Sequence, residues 1–179
     1  MMNFIENYLS SAKFEFQRYK TMGDKTFAQL SEPEIHWKYQ ETDNSIAIIV
    51  KHMVGNMLSR WTNFLTEDGE KTWRNREMEF EGPYSAKTDM LVAWEKGWKC
   101  LFDALESVTP SNFESKVKIR NEEHTIIEAV NRQLAHYSSH VGQIVFLGKM
   151  VKGAEWTSLS IPKGGSEAFN QKMFGKDKS

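Results

Sequence analysis

An all-α four-helix bundle is the fold class this sequence predicts, on three observations. Four long stretches repeat apolar residues at helical spacing, turn-forming residues separate them, and the one alternating stretch, KVKIR at 116–120, is too brief to anchor a sheet. A chain of 179 residues with 40% hydrophobic content suffices for one well-buried core and is short for two, so one domain over 1–179 is expected. The bundle proper should occupy about residues 3–151, with 152–179 as a C-terminal appendage.

The first helix is expected over 3–22, with Phe4, Tyr8, Ala12, Phe16 and Tyr19 at helical spacing and Gly23 beyond it. A short apolar turn with Phe27 and Leu30 follows, stopped by Ser31, Glu32 and Pro33. The second helix should start at the N-cap candidates Asn44 or Ser45 and reach Leu65, its stripe formed by Ile46, Val50, Met53, Met57, Trp61 and Phe64. Residues 66–84 read as a polar connection, with room for a short extended segment. The third helix spans about 85–108, with Leu91, Trp94, Trp98, Leu101, Phe102 and Leu105 on one side. Thr125 and Glu128 have capping-box spacing and open a fourth helix that continues to about Val151. A short helix at 166–174 is expected in the appendage.

Composition narrows the partners. A net charge of -1 and a pI near 6.5 supply no global basic field for nucleic acid, so none is expected as partner. No apolar run reaches membrane-spanning length, and the N-terminal stretch lacks a signal peptide's continuous apolar segment, so the expectation is a cytoplasmic protein without a membrane partner. The single Cys100 cannot form an intrachain disulfide and fits a reducing compartment; among Trp98, Leu101 and Phe102 it reads as a buried structural thiol. Six Trp and nine Met offer material for a homodimer face, although helical spacing accounts for most of them as core.

The candidate site begins with QLAHYSSHVGQIVFLG at 133–148, a run without Lys, Arg, Asp or Glu that predicts a helix buried on most of its circumference. His136 and His140 lie four residues apart in it, which stacks both imidazoles on one helix face, about 6 Å apart between Cβ atoms, close enough to share a metal ion. The alternative for the pair is two separately satisfied core histidines. On the second helix, His52 shares a polar but uncharged ridge with Ser45, Asn56, Ser59 and Asn63, away from the Met53, Met57, Trp61 stripe. A solvated face usually carries charge, so this ridge reads as a cleft lining that brings His52 to the pair; the alternative for His52 is a surface or cap-bonded histidine. His36, beside Trp37, and His124, before the capping box, read as surface or structural residues. Asn56, Gln133 and Gln143 are candidates for hydrogen bonds near the site, and no general base stands out. Arg60 and Arg132 have two readings: surface ion pairs, or grips for a carboxylate.

IVKHMVGNMLSRW in the second helix followed by LAHYSSHVGQIVFLGK in the fourth resembles the DinB-like superfamily, also described as DinB/YfiT-like metal-dependent hydrolases. The resemblance covers nearly the whole chain. It is nearest to a branch of unknown function, on Asn44 to Ala47, Gly55-Asn56, Ser59-Arg60 and the tail segment WTSLSIP at 156–162. The resemblance implies a four-helix bundle with a divalent metal, nickel or zinc, held by His52, His136 and His140. It also implies activities that include thiol-dependent S-transfer with a low-molecular-weight thiol, alongside members without known activity.

Two classes of function therefore stand at this level. One is a metal-dependent enzyme acting on a small molecule, a thiol S-transferase or a hydrolase, in which a Lewis-acidic ion activates a thiol or a water. The other is a non-enzymatic metal-binding, stress-response or structural bundle protein. The tail at 156–162 has two readings as well: a cover over the cleft mouth, or a cover over an apolar face of the bundle.

Overall fold

The computed structural model describes residues 3–175. Four long helices, α1 (Phe4–Phe27), α3 (Ile46–Trp61), α4 (Lys87–Glu106) and α5 (Ile126–Lys152), build an all-α bundle. Two short helices, α2 (Glu32–Ile35) and α6 (Ser166–Phe174), 3-10 turns at Glu77–Glu79 and Gly153–Glu155, and one antiparallel hairpin of β1 (Lys116–Ile119) with β2 (Glu122–Thr125) complete the described elements. The most extensive packing is α3 on α4 and α1 on α5, and α3 with α5 and α1 with α4 close the ring.

Local chemistry sets the helix ends. Asn3 with Glu6 and Thr125 with Glu128 form reciprocal capping boxes, and the Ser45 hydroxyl accepts from Ile48 N–H. The first helix does not stop near Met22 as expected but runs through Gly23 to Phe27. Gly23 serves packing rather than termination: a Cβ there would stand 2.6 Å from Cζ2 of Trp94. The second long helix ends at Trp61, not Leu65, because Asn63 takes a left-handed conformation (φ 50°) that turns the chain and folds Phe64 back on the Trp61 ring, with centroids 4.8 Å apart. The alternating KVKIR stretch is a strand whose partner, Glu122–Thr125, carries too little apolar character to be read from sequence.

The core is a seam of aromatics from all four long helices. Phe16, Trp61, Trp94, Trp98 and Tyr137 are almost fully buried and meet edge to face or tilted at centroid distances from 5.3 to 6.4 Å. Each buried large apolar side chain contributes about 1.5–3 kcal/mol, so this seam carries much of the bundle's cohesion. On α5 the uncharged run is buried on one side only, contrary to expectation: Gln133, Tyr137, Val141, Ile144 and Gly148 are buried, Ala135, Ser139, Gly142, Gln143 and Phe146 are exposed, and the rest are half-buried. Lack of charge in that run thus does not mark burial on most sides.

The tail runs along α1 and α5. Trp156 packs beside Gly148, Thr157 N–H donates to Gln29 Oε1 at 2.8 Å, and Trp156 with residues 158–160 helps line a groove with Phe14, Met22 and Val145. None of these tail residues lines the cleft that holds the histidines, which favours the tail as a cover for the bundle face. No described helix is long and apolar enough to cross a membrane.

Candidate metal centre

His52 on α3 and His136 and His140 on α5 come together where those helices face each other. One ligand nitrogen from each lies within 4.8 Å of the others. His52 is buried rather than on the surface, and its ring stacks on Phe80 with centroids 4.8 Å apart. Three of its four ridge companions face inward, Ser45, Asn56 and Ser59 being buried and the Ser59 hydroxyl donating to the Gly69 carbonyl at 2.7 Å, whereas Asn63, beyond the helix end, is exposed.

The tautomers decide what the cluster can do. Glu79 is held below the ordinary carboxylate range: burial alone raises it, but hydrogen bonds from His52 and Arg74 and the Arg74 charge outweigh that. An ionised carboxylate only accepts, so His52 Nδ1 donates to Glu79 Oε2 at 2.8 Å. His140 Nδ1 likewise donates to Gln143 Oε1 at 2.8 Å. Both bonds keep the ring proton on Nδ1 and leave Nε2 with a lone pair. These lone pairs meet His136 Nε2 at 3.4 Å from His52 and 3.0 Å from His140.

One proton on His136 Nε2 serves only one of those contacts well, and an added proton is disfavoured. Burial, then the positive potential of His140, His52, Arg74 and Arg60, pushes His136 down from 6.5 to about 3. Burial also lowers His140, against the Gln143 bond that raises it. Three neutral imidazole nitrogens converging on one point suit a divalent cation. Zinc–nitrogen bonds of about 2.0–2.1 Å at tetrahedral angles would separate the nitrogens by roughly 3.3–3.4 Å, near the 3.4 and 3.0 Å that separate His136 Nε2 from His52 and His140, within a set that spans at most 4.8 Å. The residues present therefore fit such an ion.

Around the histidines lies a supporting layer largely missing from the sequence reading. The connection at 66–84 contains no strand; it folds against α3 as turns and a 3-10 turn at Glu77–Glu79. It brings in Glu79, which bridges His52 to Arg74 with Arg74 Nε and Nη2 at 2.7 and 3.0 Å. Gly55 makes room for that carboxylate, because a Cβ at position 55 would stand 2.7 Å from Glu79 Cδ. The hydrogen bond from His52 to a carboxylate is the arrangement that orients a metal-ligating imidazole and raises its basicity.

The other candidates sort as follows. Asn56 lines the cleft and accepts from the Tyr137 hydroxyl at 2.9 Å, while that hydroxyl accepts from Trp61 Nε1 at 3.1 Å. Gln133 lines it with a buried Oε1 that has no partner among the described residues. Arg60 is buried rather than a surface residue, bonded to the Gly69 carbonyl and to Glu70, and Arg132 is exposed at the cleft wall. Cys100 is half-buried on α4, 3.6 Å from Thr62 Oγ1 in a separate groove. His36 caps α2 and His124 sits in β2; neither joins the cluster.

Fold and site define an all-α bundle with a three-histidine cluster, two of whose members, His52 and His136, line a polar cleft. Residues 3–165 match the family described as "Protein of unknown function (DUF1572)", and the chain belongs to that family. The match takes in all three histidines, Glu79 and the arginines around them. No curated protein and no solved structure matches the chain.

Proposed function

We propose that His52, His136 and His140 hold one divalent metal ion, nickel or zinc, and that the protein is a metal-dependent enzyme acting on a small molecule. The observation that carries this reading is the convergence of three Nε2 atoms, two of them stripped of their proton by bonds from Nδ1 to Glu79 and Gln143. The DinB-like bundles are the relatives this arrangement and the His, then His-x-x-x-His order favour.

Three protein ligands leave coordination positions open, the mark that separates catalytic from structural zinc sites. An ion in such a site supplies Lewis acidity that makes a thiol or a water nucleophilic near neutral pH. The chain's own part is positional. Glu79 and Gln143 fix two imidazoles, Phe80 stacks against the outer face of His52, and a cleft of about 530 Å³ admits a substrate to the histidines. Thiol S-transfer is preferred to hydrolysis because the resembling bundles include it.

Cobalt substitution tests this directly. The wild type should take up Co²⁺ with a visible spectrum that His136→Ala abolishes, and an added low-molecular-weight thiol should produce a sulfur-to-cobalt charge-transfer band. A bound cobalt spectrum indifferent to every thiol would leave the hydrolase form and remove the thiol form. Absence of any His136-dependent cobalt spectrum would overturn the metal centre.

A further inference from the structure

The histidine cleft is walled by an excess of arginine that the metal reading does not use. Arg60, Arg74, Arg76, Arg120 and Arg132 all line it, together with His52, Asn56, Gln133 and His136. Three of the five have structural partners. Glu70 sits 3.2 Å from Arg60, 3.6 Å from Arg74 and 3.1 Å from Arg120, and Glu79 takes the two-pronged bond from Arg74. Glu77 approaches Arg76 only loosely, at 3.6 Å between exposed side chains. No carboxylate among the described residues is within ion-pair distance of Arg132. Asp68, whose charge bears on Arg60 and which accepts from the Arg120 N–H, is a fourth carboxylate, so five guanidiniums against four carboxylates leave one positive charge in excess at this cleft.

The two arginines not committed to the fold are placed at the histidines. Arg132 precedes His136 by four residues on α5, so it lies one helical turn away on the same face. Arg76 lies over the Phe80 ring, 5.3 Å from its centroid, and that same ring stacks on His52. Arg76, Phe80 and His52 therefore form a stack that holds a guanidinium beside the cluster. Clustering like charges costs stability unless an anion joins them, and guanidinium forks match carboxylate and phosphate oxygens two at a time. Arg60 Nε and Gln133 Oε1, buried without partners among the described residues, add unused hydrogen-bonding capacity on the same wall. The volume, about 530 Å³, suits a small molecule and not a polymer.

We infer that this cleft binds a small organic dianion, with carboxylate or phosphate oxygens on Arg76 and Arg132 and the rest of the molecule reaching toward the histidines. The inference rests on the proposed metal centre for the reacting end of the ligand, while the arginine end is independent of it. The dianion is the substrate or co-substrate whose acidic group the protein grips while its other end meets the ion.

Calorimetric titration of metal-free and metal-loaded protein with succinate, glycerol 1-phosphate and the neutral succinamide tests it. At least one dianion should bind the metal-free protein, more weakly as salt rises, and succinamide should not. Arg76→Gln and Arg132→Gln should each weaken binding about tenfold, and the double variant should abolish it while circular dichroism stays unchanged. The relative affinity of succinate and glycerol phosphate identifies which acid the site prefers. Failure of both dianions to bind, equal binding of succinamide, or an unaffected double variant would overturn the inference. Metal content measured on the same samples separates the two readings: metal held with no dianion bound sinks the anion site alone, and dianion bound with no metal held sinks the metal centre alone.

Discussion

Glu79 and His52, 27 positions apart, are joined by a 2.8 Å hydrogen bond in which the buried carboxylate accepts from the imidazole Nδ1. This contact ties the 66–84 connection to α3 and settles which nitrogen of His52 faces the other histidines. It also gives Arg74 a buried counter-charge, so one carboxylate orients an imidazole and satisfies a guanidinium.

Glu79→Gln should keep the helical fold and weaken metal binding. Loss of a carboxylate partner behind a metal-ligating imidazole typically costs 10–100-fold in affinity. Competition with a chelating dye measures it, and an unchanged dissociation constant would mean that Glu79 serves Arg74 alone.

Gly55→Ala should act in the same direction from the other side of the contact. The added methyl would press on Glu79 Cδ at 2.7 Å and on its carboxylate oxygen, pushing the side chain away from His52. Metal affinity should drop with little change in helix content, and the effect should vanish in a Glu79→Gln background if the two act through one contact.

Stability of the metal-free protein should depend on pH through His136. Burial, with neighbouring positive charge, sets its folded value at about 3, whereas the unfolded chain titrates near 6.5. Below 6.5 the unfolded state binds the proton that the folded state refuses, so stability is complete above that pH and is lost progressively as pH falls toward 3. Urea melts in the presence of chelator, from pH 7 down to about 5, stay above the carboxylate range. His136→Gln should reduce the slope there, leaving the part contributed by His140, which burial also lowers; an equal slope in both proteins would contradict the assignment.

Tyr137→Phe should destabilise the bundle without touching the histidines. The hydroxyl, fully buried, donates to Asn56 Oδ1 and accepts from Trp61 Nε1, so its removal strands a buried donor and an acceptor. A loss of about 1–3 kcal/mol is expected, seen as a lower urea midpoint at unchanged slope. A loss within about 0.5 kcal/mol would show that water repairs both groups.

The bundle was legible because four amphipathic stripes and one capping box follow local rules, and the His136–His140 pair because the two share a helical turn; the uncharged ridge left His52 open, and only the resemblance joined it to the pair. Glu79, Arg74 and Arg76 were not legible. They sit in a stretch with no apolar period, whose path is fixed by side-chain contacts such as Arg74 to Glu79 and Ser59 to Gly69 and not by local propensity. Gly55 held the available signal: a glycine inside a strongly apolar helix marks a close approach, here by Glu79. Gly23 gave the opposite lesson, read as a helix end when it seats Trp94 inside a continuing helix.

Metal content of untagged protein purified without chelator, beside His52→Ala, His136→Ala and His140→Ala, tests the central claim most directly. The account predicts about one nickel or zinc per wild-type chain and its loss in each variant, with helical content kept. A wild type that holds no divalent metal even after reconstitution, or variants that bind as much as the wild type, would contradict it.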